Sequence, residues 1–141
     1  MARIKLDLPS ITHFTTDVPV RITDINYGGH LGNDALLSLV HEARVRFLRH
    51  YGYSEMNIDG RSIIMSDVAI VYKAEAFHGD VLEFAVSAVD FHRFGCDLFY
   101  RITQKDSGKE VARAKTGIVF YDYSAKKLVN VPATFQGLFT R

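Results

Sequence analysis

Residues 34–50 carry the one strong helical rhythm in the chain, and the apolar stripe on that helix is broad. Leu36, Leu39, Val40, Ala43 and Phe47 recur at the i, i+3, i+4, i+7, i+11 spacing of a single helical face. Leu37 and Leu48 widen the stripe until more than half of the circumference is apolar. Burying each large side chain stabilises the fold by roughly 1.5–3 kcal/mol. A stripe this wide demands a surface that partly wraps the helix. Asn33 is placed to cap the first turn, its side-chain oxygen accepting from an orphan N–H. Arg44, Arg46, Arg49 and His50 suit the negative end of the helix dipole, and Gly52 supplies the stop. Glu42 lies off the apolar stripe, four residues before Arg46, and reads as half of a solvated ion pair.

The wrapping surface is predicted from the rest of the chain, which reads almost entirely as strand. Residues 11–23 are β-branched and aromatic, and Pro19 points to a sheet edge or a strand start. Residues 62–76 are β-rich. Within 80–92, Leu82, Phe84, Val86 and Ala88 share a face, and within 96–104 Leu98, Tyr100 and Ile102 do the same. A turn at 105–108 leads into 109–123, where Ala112, Ala114, Thr116, Ile118 and Phe120 face away from Arg113 and Lys115. A short helix is expected at 132–139 with Pro132 in its first turn. The physical solution is an α+β arrangement, a curved antiparallel sheet of about five strands wrapped around one long helix. Its open edge invites pairing with a second copy.

A chain of 141 residues with 48% hydrophobic content suits one domain spanning 1–141, with 1–10 as an N-terminal extension and 131–141 as a short helix or tail. Seventeen basic against sixteen acidic residues leave a charge of +1, against a dedicated nucleic-acid binder. Cys96 is the only cysteine, so neither an intrachain disulfide nor a cysteine zinc site is expected. The six histidines show no ligand spacing, and no metal is predicted. The opening MARIKLDLPS lacks an apolar core, and no run reaches ~18 apolar residues, so a cytoplasmic protein without a membrane span is expected.

Chemistry concentrates in the segment Asp24-Ile25-Asn26-Tyr27-Gly28-Gly29-His30-Leu31-Gly32-Asn33. This stretch resembles the signature of hotdog-fold thioesterases of the 4-hydroxybenzoyl-CoA thioesterase type. Glu42-Ala43-Arg44, Tyr51-Gly52 and Gly79-Asp80-Val81-Leu82 match further parts of that pattern, and the likeness spans about residues 15–123. The resemblance implies a hotdog fold, a homodimer or homotetramer, and hydrolysis of an acyl-CoA thioester with no cofactor beyond the CoA of the substrate. It also implies an oxyanion held by backbone N–H groups near Gly32 and Asn33, at the start of the helix.

One departure from that pattern matters. Where the family carries the second acid of Asp-x-Asp, the usual nucleophile or base, this chain has Asn26. A neutral amide orients a water or a carbonyl but accepts no proton at neutral pH. Asp34 and His30 are the candidates to activate water, with Asn26 positioning it, while Asp24 matches the more structural acid. Gly28, Gly29 and Gly32 permit close approach of a ligand to the backbone, beside Tyr27. The unpaired N–H groups and positive dipole end of the following helix suit a developing oxyanion. His92, Arg93, Lys126 and Lys127, at strand ends, are candidate contacts for the phosphates of CoA. Two other readings are open: a catalytically quiet acyl-CoA or acyl-carrier binding module, and a hotdog enoyl-CoA hydratase or dehydratase using His30.

Overall fold

The computed structural model describes residues 3–140. The elements are β1 (Phe14–Pro19), a 3₁₀ turn (Ile22–Asp24), α1 (Asn33–His50), β2 (Ser62–Tyr72), β3 (Val81–His92), β4 (Gly95–Gln104), β5 (Glu110–Asp122), β6 (Lys127–Leu128) and α2 (Ala133–Gly137). Six antiparallel strands form one sheet in the order β1-β3-β4-β5-β2, with β6 added to β5. Strands β3, β4 and β5 follow one another as a meander. The chain leaves one edge at β1, lays α1 across the sheet, and returns as β2 at the far edge. This is the hotdog fold, and β6 is a strand beyond the five expected.

The alternating faces behave as the pattern dictates. Leu82, Phe84, Val86, Leu98, Tyr100, Ile102, Ala112, Ala114, Thr116, Ile118 and Phe120 are all fully buried against the helix. Their register is continuous across the sheet, with Phe84 beside Ile102 and Ile102 beside Ala112. From α1, Leu36, Leu39, Val40, Ala43, Phe47 and Leu48 complete the core. Leu37 does not join them: it is 42% exposed, because the sheet of one chain wraps only part of the stripe. Beside it on β2, Val68 is 45% exposed although its register partner Thr116 is buried.

Several local details differ from expectation. Strand β1 covers 14–19 rather than 11–23 because Pro19 ends the ladder and Asp24 folds the next residues into a turn. The Asp24 carboxylate accepts from the Arg21 N–H at 2.8 Å. Asn33 is the first helical residue and not the cap; Gly32 takes the cap position and offers no side chain. Arg44 and Arg46 do more than complement a dipole. Arg44 is buried and donates to Glu55 at 2.8 Å, and His41 bonds the same carboxylate at 2.9 Å. Arg46 pairs with Glu42 at 2.7 Å, as the i, i+4 spacing predicts, and also clamps β1 through Thr16 Oγ1 and the Asp17 carbonyl.

Two further packings bear on the site. Helix α2 inserts Phe135 into the far end of the core, where it meets Phe91, Phe120 and Tyr53 edge-on or tilted. The segment before β1 runs over the convex face of the sheet, held by Arg113 donating to the Leu6 carbonyl at 3.1 Å and by Ser87 donating to the Ile11 carbonyl. Cys96 is fully buried, and burial pushes its thiol far up, away from the reactive thiolate.

Gly95 is required by contact. A Cβ there would lie 1.9 Å from the Ile118 carbonyl oxygen, backbone against backbone. Gly95→Ala is expected to lower the unfolding free energy by about 1–3 kcal/mol in urea titrations. Glu55 gives a pH prediction. Burial alone raises its pKa, but the hydrogen bonds from Arg44 and His41 outweigh this and hold it below the ordinary value. Its contribution is therefore complete above about pH 4.3 and is lost as pH falls through the lower folded value. Stability curves between pH 2 and 6 should show this loss, and Glu55→Gln should flatten it.

Candidate active site at the start of the central helix

Residues 25–31 form a small closed loop directly before α1. Ile25 and Leu31 bridge antiparallel, and the Asn26 N–H donates to the His30 carbonyl at 2.9 Å. Gly29 sits at φ +85°, a conformation that L side chains resist, and its N–H closes the turn onto the Asn26 carbonyl at 3.1 Å. The Asn26 side chain is the hub. Its Oδ1 accepts from the Gly28 N–H at 2.9 Å and the His30 N–H at 3.4 Å. The amide that stands in place of the acid therefore shapes the loop from within. Tyr27 projects fully into solvent.

The loop is pinned to the rest of the fold through its last residues. The Leu31 N–H donates to the Ala76 carbonyl at 2.8 Å and the Gly32 N–H to the Asp24 carbonyl at 3.0 Å. Asp24 is buried, so the first acid of the motif is structural: its carboxylate and its carbonyl tie the 3₁₀ turn to the helix start. The first helical bond runs from the Leu36 N–H to the Gly32 carbonyl at 3.0 Å. No side chain among the described residues caps the start. The N–H groups of Asn33, Asp34 and Ala35 thus precede the ladder, at the positive end of an 18-residue helix. An Asn33 cap would have occupied one of them.

A cavity of ≈ 250 Å³ opens at this point. His30, Gly32, Asn33 and Leu36 form one wall, and Tyr72, Glu75, Ala76 and Val111 face them from the ends of β2 and β5 and the β2–β3 connection. Glu75 was not singled out by sequence reasoning. Its Oε1 stands 3.8 Å from His30 Nε2, the nearest carboxylate contact of that ring. Tyr72, also unforeseen, donates its hydroxyl to the Asn33 carbonyl at 3.3 Å. Burial, and after it the charge of Asp34, raises the Tyr72 pKa above the usual phenol range. No sequence spacing signals either residue, because each reaches the site from more than 35 positions away through the return of β2.

Asp34 looks elsewhere. It lines a second hollow of ≈ 250 Å³ with Leu37, Ser38, His41, Met65 and Val68, between α1 and the β2 edge. Gly32 lies against it, since a Cβ there would come within 3.0 Å of Asp34 Oδ1. Asn26, Tyr27, Gly28, Gly29, His30, Gly32, Asn33 and Asp34 are thus brought together, with His30 and Asp34 serving separate cavities. The basic candidates are not brought to them. His92 and Arg93 lie at the β3–β4 turn and Lys126 and Lys127 at the β5–β6 turn. Strand β3 begins beside the site and is 12 residues long, which puts that turn roughly 35 Å away along the strand. Arg93 there bonds Asn130 at 3.1 Å and rests over the Phe94 ring. Among the described residues no His, Cys, Asp and Glu cluster suits a metal, and no helix is long and apolar enough to cross a membrane.

The sequence model of the thioesterase-like superfamily matches residues 20–139, from the end of β1 through α2. The chain belongs to the thioesterase-like superfamily. Solved structures share its fold at low identity. A 1,4-dihydroxy-2-naphthoyl-CoA thioesterase from Synechocystis superposes with a TM-score of 0.81 at 24% identity, covering 89% of this chain and 93% of its own. A hypothetical protein from Aquifex aeolicus gives 0.81 at 22% identity, covering 91% and 100%. The probable thioesterase YbaW from Escherichia coli gives 0.75 at 21% identity, covering 89% and 96%. No curated protein sequence matches the chain at significance. In this thioesterase-like chain the Asn26 side chain serves the loop by accepting, which a carboxylate does equally well. Asn26→Ala is therefore expected to cost about 1 kcal/mol in urea unfolding, from net hydrogen-bond values, and Asn26→Asp much less.

Proposed function

We propose that this member of the superfamily hydrolyses an acyl-CoA thioester, with His30 as the general base and Glu75 orienting its ring. The observation that carries the reading is the junction of three features in one cavity. These are an uncapped helix start, an imidazole, and a carboxylate 3.8 Å from that imidazole. The superfamily supports thioester chemistry; the substrate and the residue roles are this reading's own.

The chemistry follows from those groups. A thioester carbonyl against the first turn of α1 would place its oxygen near the N–H groups of Asn33, Asp34 and Ala35. His30 takes a proton from water as the oxygen of that water bonds the carbonyl carbon. The negative charge that develops on the carbonyl oxygen is stabilised by N–H groups already fixed in direction, which need no reorganisation. Collapse expels the thiolate, and the imidazolium returns the proton to sulfur. Imidazole suits both steps because its ordinary pKa lies near neutrality. Asn26 contributes by holding the His30 backbone, which explains how an amide at that position is compatible with activity.

The same reading includes a homodimer built on the β2 edge. The β1 edge is six residues long, ends in Pro19, and is held by Arg46. The β2 edge is 11 residues long and leaves Val68 and Leu37 exposed beside the Asp34 hollow. Long, unprotected, apolar edges pair, and a second copy is the partner always present.

Two measurements test these claims. His30→Ala should lower kcat/KM at least ~100-fold over a panel of short, long and aromatic acyl-CoAs, the scale of a lost general base, with Glu75→Gln losing less. A larger loss in Asp34→Asn than in His30→Ala would instead place the base in the hollow between α1 and β2. Sedimentation should give at least a dimer for the native chain, and Val68→Lys should shift it toward monomer; a native monomer would end the dimer reading. Binding without turnover, with hydrolysis appearing in Asn26→Asp, would favour the quiet binding module.

A further inference from the structure

We propose that a basic groove on the convex side of the β2 end binds the phosphates of coenzyme A, so that the N-terminal segment is part of the substrate site. The inference rests on the thioester reading above and names where the nucleotide end of the substrate lies.

The groove has a volume of ≈ 540 Å³ and is lined by Arg3, Lys5, Lys73 and Arg113, with Asp7 the single carboxylate among its walls. Four cations on one groove stand out in a chain whose net charge is +1. Arg113 is committed to Glu110 through Nε at 2.8 Å and Nη2 at 3.2 Å, and through Nη1 to the Leu6 carbonyl at 3.1 Å. Those bonds fix the floor and tether the overlying segment. Arg3, Lys5 and Lys73 form no ion pair among the described residues. Their charges remain available for a ligand, and a ligand with three clustered phosphoryl groups matches them better than any single carboxylate.

The position of the groove carries the argument further. Tyr72 and Lys73 are walls of both this groove and the His30 cavity. The Tyr72 carbonyl accepts from Arg3 at 3.2 Å, while the hydroxyl of the same residue reaches the Asn33 carbonyl at 3.3 Å. One residue therefore joins the phosphate-binding face to the start of α1. A pantetheine arm leaving the groove passes over Tyr72 and arrives with its thioester at the N–H groups of the first turn. The basic turns at 92–93 and 126–127 offer no such path within the chain, lying at the far end of the strands.

The experiment uses the full chain and the double variant Arg3→Glu/Lys5→Glu, with Arg3→Ala/Lys5→Ala as the milder companion. Both side chains are exposed, and the only bond lost among the described residues is that of Arg3 to the Tyr72 carbonyl, so the variants are expected to fold, which their urea unfolding curves check. The first measurement is calorimetric titration with CoA, 3′-dephospho-CoA and pantetheine. The native chain should bind in that descending order, with CoA affinity falling at high salt, and the charge-reversal variant should lose at least tenfold toward CoA. The second is the ratio of kcat/KM for an acyl-CoA to that for the same acyl group on pantetheine, which should fall at least tenfold in the variant. A native chain that binds CoA no better than pantetheine overturns the proposal, as does a ratio that moves less than twofold. The two readings fail separately. Tight, phosphate-dependent binding without hydrolysis retains the groove and removes the thioesterase reading. Hydrolysis with an unchanged ratio does the reverse.

Discussion

Burial of one broad helical stripe governs the structure. Leu36, Leu39, Val40, Ala43, Phe47 and Leu48 leave α1 with no stable place in water. Only a sheet that curves around the helix covers so wide an arc. The alternating inner faces of β3, β4 and β5 supply that surface, and placing β1 and β2 at opposite edges lets the connecting helix lie across it. Closure at the far end falls to the aromatic plug of α2, where Phe135 is fully buried. The polar groups that share the core are paired. Tyr100 bonds Thr116 at 2.9 Å, and Arg44 brings its charge inside only with Glu55 attached.

The same constraint creates the site. Pinning the helix against the sheet fixes its first turn beside the return of β2, and the loop of residues 25–31 is held there by backbone bonds to Ala76 and Asp24. What is left unsatisfied is chemically useful. A capping side chain at Gly32 would stabilise the helix by about 1 kcal/mol. Its absence leaves the N–H groups of the first turn without a side-chain partner, beside a cavity lined by Gly32, Asn33 and His30. The fold gives up a little helix stability at this uncapped turn and recovers it through the wide apolar face.

Much of this was legible in the residues. The strands of the meander and the helix follow from periodicity, because side-chain burial on a sheet or helix depends on local spacing alone. The resemblance carried by residues 24–33 pointed to the loop and helix start that, in the fold, border the His30 cavity. Legibility ended where distant segments meet. Glu75 and Tyr72 carry no local signal, since their nearness to His30 and Asn33 arises from the β2 crossover. The helix dipole accounted for Arg44 at sequence level, yet packing buried it beside Glu55. Which end of a strand a basic residue occupies relative to the His30 cavity is likewise set by topology: His92, Arg93, Lys126 and Lys127 lie at the β3–β4 and β5–β6 turns.

The sequence by itself determined the architecture: one apolar helix, alternating strands and a glycine-containing loop admit few arrangements, because burial of apolar area is dictated by pattern. It also placed an amide, Asn26, where resemblance led one to expect an acid. The tertiary structure alone decided what that amide does, binding the loop from within through Gly28 and His30. It also decided which carboxylate stands by the imidazole, and that His30 and Asp34, four residues apart, serve different cavities. The physical reason is directional: hydrogen bonds and ion pairs depend on distances between chain segments that no local periodicity encodes.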